Sequence, residues 1–370
     1  MAMKQTLSTL IGNHFFTSKS IINLMTEFIL ALITLRDVNL TGIALMICVD
    51  SEVSSGYRRL QRFFEKTEIC YKCLARLIVA IAKIVDPKWT LAMDRTNWKF
   101  GKLHINILVL SINYKDIGIP ILWSMLDNSG GNSNSMQRKD LLGRFIRIFG
   151  VNKIGSLLAD REFIGDEWFK FLADSGIKFY IRIGSNITIG RAKDELVTAN
   201  KRVARLKNDE HIILDGERYL GLSHNGPKVK IAAAKNECGE LMVIATNDDV
   251  AIAIKKYKER WSIETLFGCL KTRGFNFENT HMVHIDRIGK LLALLAITFT
   301  LCHVLGIWRN SISPIKLKKH KRKAVSLFRY GLDYLRKLLL NSKNMEESFA
   351  QIIEILIVPA KYHLKRLIVC

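Results

Sequence analysis

Three strand-like runs follow one another almost without interruption: Trp89 to Phe100, His104 to Lys115 and Ile117 to Asp127. Each is rich in β-branched and aromatic residues, and only Gly101 and the neighbourhood of Asp116 are left for turns, which predicts an antiparallel meander. The pattern then changes period. After a loop of Gly, Asn and Ser, Met136 to Phe149 spaces its apolar residues as an amphipathic helix. Ile154 to Ala159 is a short apolar strand, Asp166 to Ser175 is helical, and Lys178 to Ile183 is a strand again. A meander followed by alternating strand and helix predicts an α/β fold: a mixed sheet with parallel members and helices on its faces.

The flanks have other textures. From about residue 5 to 85 apolar residues recur every three or four positions, as in a helical bundle, until Asp86-Pro87 ends the block. From about 185 to 250, Asp215-Gly216, Asn225-Gly226-Pro227 and Cys238-Gly239 punctuate short apolar runs, the mark of a β-rich insertion with tight turns. Beyond Trp308 the chain reads as helical and strongly basic. The expected division is therefore a helical domain over 1–86, a catalytic α/β domain over 87–310 that contains the insertion, and a basic helical region over 311–370. Leu291 to Trp308 alone approaches a membrane span, but it is 18 residues long and contains His303, so it reads as a buried core helix and no membrane partner is expected. The N-terminus lacks the apolar core and cleavage site of a secretory signal. Cys70 and Cys73 have no second pair to complete a zinc site, and His281 and His284 have no third ligand, so neither is assigned a metal.

Charge narrows the partners. Lys and Arg number 56 against 34 acidic residues, a net charge of +22, and the counterpart of such a surface is a polyanion, nucleic acid first. Arg58, Arg59 and Arg62 lie on one side of their helix, where they suit DNA phosphates or a solvated face. The run Lys316, Lys318, Lys319, Lys321, Arg322 and Lys323 poses the same alternative.

The chemistry rests on carboxylates. Asp94 interrupts an apolar strand where a core would carry Val or Ile, and Asp160 ends another. Buried charge is costly unless paired or bound to a metal, and the adjacent Arg95 and Arg161 are ready partners, so an ion pair and a metal site both remain open. Between Tyr257 and Lys271, helical spacing puts Tyr257, Arg260, Glu264 and Lys271 on one face, with Trp261 at its border. Asp94, Asp160 and Glu264 together make three hard oxygen ligands suited to Mg²⁺ or Mn²⁺, the setting for in-line displacement at phosphorus.

The spacing of Tyr257, Arg260, Glu264 and Lys271 resembles the YREK signature of DDE transposases of the IS4 insertion-sequence family. DRTNW at 94–98, GNSN at 131–134, ADREF at 159–163 and YRRLQRFF at 57–64 look like family sequence too, so the resemblance spans nearly the whole chain. It implies an RNase H-like domain with a β-rich insertion between the second Asp and the Glu. Asp94, Asp160 and Glu264 become the metal-binding catalytic triad, Tyr257, Arg260 and Lys271 contact transposon-end DNA, and Trp261 matches a tryptophan that handles a flipped base. It further implies cut-and-paste transposition through a hairpin, strand transfer into target DNA, double-stranded inverted repeats as substrate, a homodimer that synapses two ends, and a bacterial cytoplasmic, nucleoid-associated setting. Some relatives carry a further basic residue one turn after the Glu, where this chain has Gly268. A non-catalytic DNA-binding protein on the same scaffold and an RNase H-like nuclease without strand transfer are the alternatives.

Overall fold

The structure, a computed structural model, describes residues 2–15, 17–48, 52–126, 131–192, 194–221, 227–319 and 321–341. The chain forms two compact units, one made of residues 1–85, 100–103 and 267–370 and the other of residues 86–99 and 104–266.

The first unit begins with five helices: α1 (Ala2–Gly12), α2 (Lys19–Leu35), α3 (Leu40–Ile47), α4 (Val53–Lys66) and α5 (Tyr71–Ala82). Ser18 and Asn39 cap α2 and α3, each accepting from backbone amides of its first turn, the role that favours these residues there.

The second unit is one ten-stranded sheet with helices. In chain order it contains β1 (Trp89–Phe100), β2 (Leu103–Tyr114), β3 (Ile117–Met125), α6 (Ser135–Phe149), β4 (Ile154–Ala159), α7 (Asp166–Asp174) and β5 (Phe179–Ile183). Then come β6 (Thr188–Gly190), β7 (Val197–Thr198), α8 (Ala199–Arg202), β8 (His211–Leu220), β9 (Val229–Lys235), β10 (Leu241–Thr246) and α9 (Ala253–Lys258). The spatial order is β3-β2-β1-β4-β5-β10-β9-β8-β6-β7. β3 runs antiparallel to β2, while β4 runs parallel to both β1 and β5. The meander and the parallel members thus share one mixed sheet, and its first five strands have the RNase H-like arrangement. Residues 185–250 supply β6 to β10, which continue that sheet, because β10 pairs antiparallel with β5. The turn expected at Asn225-Gly226 lies outside the described residues.

α10 (Trp261–Leu270) crosses the boundary between the units, and the first unit resumes with α11 (Ile285–Ile312) and α12 (Leu327–Leu340). α11 is buried on all sides from Leu291 to Gly306, which is why its apolar residues show no stripe. It is long and apolar enough to cross a membrane, yet nine-tenths of its most apolar window is buried within the protein. α12 crosses it at two glycines: a Cβ on Gly306 would stand 1.8 Å from the Leu327 carbonyl oxygen, and one on Gly331 1.8 Å from that of Cys302. Between these helices the described residues of the basic run, 316–319 and 321–323, are exposed and non-helical, closed by a bridge between Leu317 and Lys323. The helix expected there gives way to a tight turn, in which the Lys318 amide donates to the Arg322 carbonyl and the Lys321 amide to the Lys318 carbonyl, both at 2.8 Å, with Lys321 in a left-handed conformation. Residues 342–370 of the expected C-terminal region lie outside the described residues.

Candidate active site

β1 and β4 lie side by side in parallel, with Met93 opposite Ala159, so Asp94, in the middle of β1, and Asp160, just past the end of β4, come next to each other. The third carboxylate arrives on a different element. The helix expected from Tyr257 to Lys271 is broken: α9 ends at Lys258, α10 begins at Trp261, and the joint is wound with i to i+3 bonds such as Arg260 N to Tyr257 O at 2.9 Å. Asn113 on β2 holds the joint, its side-chain amide donating to the Glu259 carbonyl at 3.0 Å while Ser262 Oγ donates to Asn113 Oδ1 at 2.5 Å. Gly118 on β3 makes room for it, since a Cβ there would come 3.2 Å from Ile263 Cα.

The break turns Arg260 into the carboxylates. Its guanidinium donates from Nη1 to Asp94 Oδ2 at 3.0 Å, from Nη2 to Glu264 Oε1 at 2.5 Å and from Nε to the Tyr257 hydroxyl at 3.1 Å. That hydroxyl donates to Asp160 Oδ1 at 3.0 Å. One buried cation and one phenol thus gather all three carboxylates, and the Arg260 side chain is only 8% exposed. Burial pushes the Asp94 carboxyl up to about 7, helped by the negative charges of Asp160 and Glu162 and opposed by Arg260 and the Arg95 amide. Burial also raises the Tyr257 phenol. It would depress the Arg260 guanidinium, but Tyr257, Asp94, Glu264 and Asp160 hold it above its ordinary value.

Arg95 has a different task from the one its position suggests. Its guanidinium forks onto Glu162 at 2.9 to 3.1 Å and reaches Asn106 Oδ1 at 3.1 Å and the Gly131 carbonyl at 2.9 Å, so the cation paired with Asp94 is Arg260. Arg138 on α6 donates to Ser133 Oγ at 2.9 Å and to the Glu162 carbonyl at 2.8 Å. These bonds tie the 94–98, 131–134 and 159–163 segments into one frame under the carboxylates. Asn113, Glu162 and Arg138 were not candidates from sequence; the acid two residues after Asp160 was the available signal.

Trp261 stands 66% exposed beside the cluster. It helps line a groove of about 840 Å³, with Arg182, Lys235, Lys255, Lys258 and Arg260 among its cations and Asp209, Glu210 and Glu240 among its acids. Lys271 follows α10 in the first unit, where it pairs with Glu278 at 2.7 Å. Arg58 and Arg62 are exposed on α4, and Arg59 pairs with Glu27 at 3.0 Å. Arg273 lies across Gly268, its Cδ 3.2 Å from where a Cβ would stand, so a cation covers the position where the chain lacks one.

The donor set suits a hard divalent cation, since three carboxylates around one guanidinium leave negative charge uncompensated. Among the described residues no three such side chains are gathered closely enough to hold an ion as they stand, because Arg260 lies between them.

The family described as the transposase DDE domain matches residues 86–301. No curated protein matches the chain. A solved structure described as the piggyBac transposase synaptic complex with hairpin DNA is similar at 11% identity and a TM-score of 0.46, over 92% of this chain and 77% of that one.

Proposed function

The chain belongs to the transposase DDE-domain family, and from that premise we propose that it is a divalent-metal-dependent DNA transposase, cutting at the ends of an insertion sequence and joining them to target DNA. The observation that carries this reading is the convergence of Asp94, Asp160 and Glu264 on Arg260 and Tyr257, beside a groove rich in cations. Asp94, Asp160 and Glu264 would hold Mg²⁺ or Mn²⁺. When bound, such ions activate water or a 3′-hydroxyl for attack at phosphorus and stabilise the leaving oxygen.

The chain's own residues do the rest. The Arg95–Glu162 pair ties the middle of β1 to the segment after β4, next to the two aspartates, and Tyr257 orients Asp160 through its hydroxyl. Lys255, Lys258 and Arg260 draw a DNA strand into the groove, and the exposed ring of Trp261 offers a stacking face to an unpaired base. Arg58, Arg59 and Arg62 contact phosphates from α4, and Lys271 those of the element end. The finer reading, an IS4-type enzyme that works through a hairpin as a dimer with two ends synapsed, rests on the spacing of Tyr257, Arg260, Glu264 and Lys271.

The test uses duplexes from the DNA flanking the reading frame, incubated with the full chain and Mg²⁺ or Mn²⁺. The native chain should nick the duplex and transfer its 3′ ends. Asp94→Asn, Asp160→Asn and Glu264→Gln should still bind it but lose cleavage by more than about 100-fold, beyond the cost of losing an outer hydrogen-bond partner. Undiminished cleavage by Glu264→Gln would sink the proposal. Metal-dependent nicking without end preference or joining would instead identify a nuclease.

A further inference from the structure

Arg260 stands where a cation bound by these carboxylates would have to lie. It bonds Asp94 and Glu264 directly and reaches Asp160 through the Tyr257 hydroxyl. Its single charge cannot balance a cluster of three carboxylates, and a divalent ion supplies the charge that is missing. A guanidinium and such an ion cannot both take the inner oxygens of Asp94 and Glu264. Arg260 also lines the groove, at the joint between α9 and α10, with Lys255 and Lys258 close by in sequence. A phosphate entering that groove offers the guanidinium a bidentate partner.

We propose that Arg260 is an exchangeable internal counter-ion: it holds the carboxylates apart from metal while the groove is empty, and DNA draws it off and so opens the metal site. This rests on the reading of Asp94, Asp160 and Glu264 as metal ligands. The proposal adds that metal and DNA bind cooperatively, each raising the affinity for the other by the same factor, as linkage requires. A chain without DNA is thus kept from assembling a competent centre on its own.

The experiment measures binding, not cleavage. Mn²⁺ is titrated into the full chain by calorimetry and by its electron paramagnetic resonance signal, with and without a saturating short duplex. The native chain, Arg260→Met, Arg260→Lys and Glu264→Gln are compared, and Glu264→Gln supplies the background of Mn²⁺ held by the duplex itself. The native chain should bind Mn²⁺ at least about tenfold more tightly with duplex than without it, within the usual range of coupling between sites. Arg260→Met should bind Mn²⁺ about tenfold more tightly than the native chain in the absence of duplex, and should lose most of the duplex effect. Arg260→Lys, which keeps the charge, should lie between them and shows that the gain follows charge, not general loosening. If Glu264→Gln abolishes Mn²⁺ binding but Arg260→Met binds no more tightly than the native chain, the counter-ion role is overturned while the metal site stands. If Glu264→Gln binds Mn²⁺ as the native chain does, the metal-ligand reading itself falls, and this proposal with it.

Discussion

Asp94 carries its cost in a measurable form. Its carboxyl titrates near 7 in the folded chain against an ordinary value of 3.8, so between these limits the native state holds more protons than the unfolded state. Its contribution to stability therefore falls as pH rises from about 4 to about 7. Melting temperatures of the native chain and Asp94→Asn, compared across that range, should shift steadily in favour of the variant. A constant difference would mean that the carboxyl is not held neutral by burial. The frame beneath it predicts the opposite kind of effect. Glu162 and Arg95 are 17% and 13% exposed, so Glu162→Ala takes the counter-charge from a mostly buried guanidinium and should cost about 3–5 kcal/mol by denaturant unfolding. From sequence, Arg95 was a ready partner for Asp94, and Arg260 was read as a DNA contact on the face that carries Glu264. The reversal follows from Glu162, whose carboxylate claims Arg95 across 67 residues of chain.

At the level of elements, the strands were the most readable part. Runs such as Ile107 to Leu110 and Leu157 to Ala159 are apolar and buried as expected. The break between α9 and α10 was not readable, because neither Gly nor Pro stands at Glu259–Arg260. Its support is Asn113, 146 residues away, which accepts from Ser262 and donates to Glu259. Asn113→Ala should let the joint relax toward a continuous helix and turn Arg260 out of the cluster. The expected readout is stronger protection of the Arg260 and Ile263 amides from hydrogen exchange, as regular helical bonds replace the i to i+3 bonds of the joint, with the sheet amides unchanged. The crossing of α11 and α12 was equally hidden, since two glycines in helical sequence carry no visible mark of a close approach. Gly306→Ala or Gly331→Ala puts a methyl group into a carbonyl oxygen of the facing helix. Either should cost about 1–3 kcal/mol, the usual penalty for overpacking, read as a lower melting temperature.

For the whole molecule, the net charge of +22 sets the electrostatics of any encounter with DNA. Binding should weaken steeply with salt, and Lys255→Ala or Lys258→Ala should each lower the logarithmic salt slope by about 1. An unchanged slope would take those lysines out of the interface. The order of parts along the chain carries a consequence for synthesis. Asp94 and Arg260 are 166 residues apart, and Glu264 follows later still. A chain still on the ribosome can therefore display both aspartates with nothing to neutralise them, and it cannot complete the cluster until α9 and α10 have emerged. Premature termination anywhere between Asp160 and Tyr257 leaves two acids side by side on an unfinished sheet, and the fragment should be a substrate for proteases rather than a partial nuclease. On the proposed function, the late arrival of the third acid would work as a quality check: only a chain translated past the groove would be able to cut DNA.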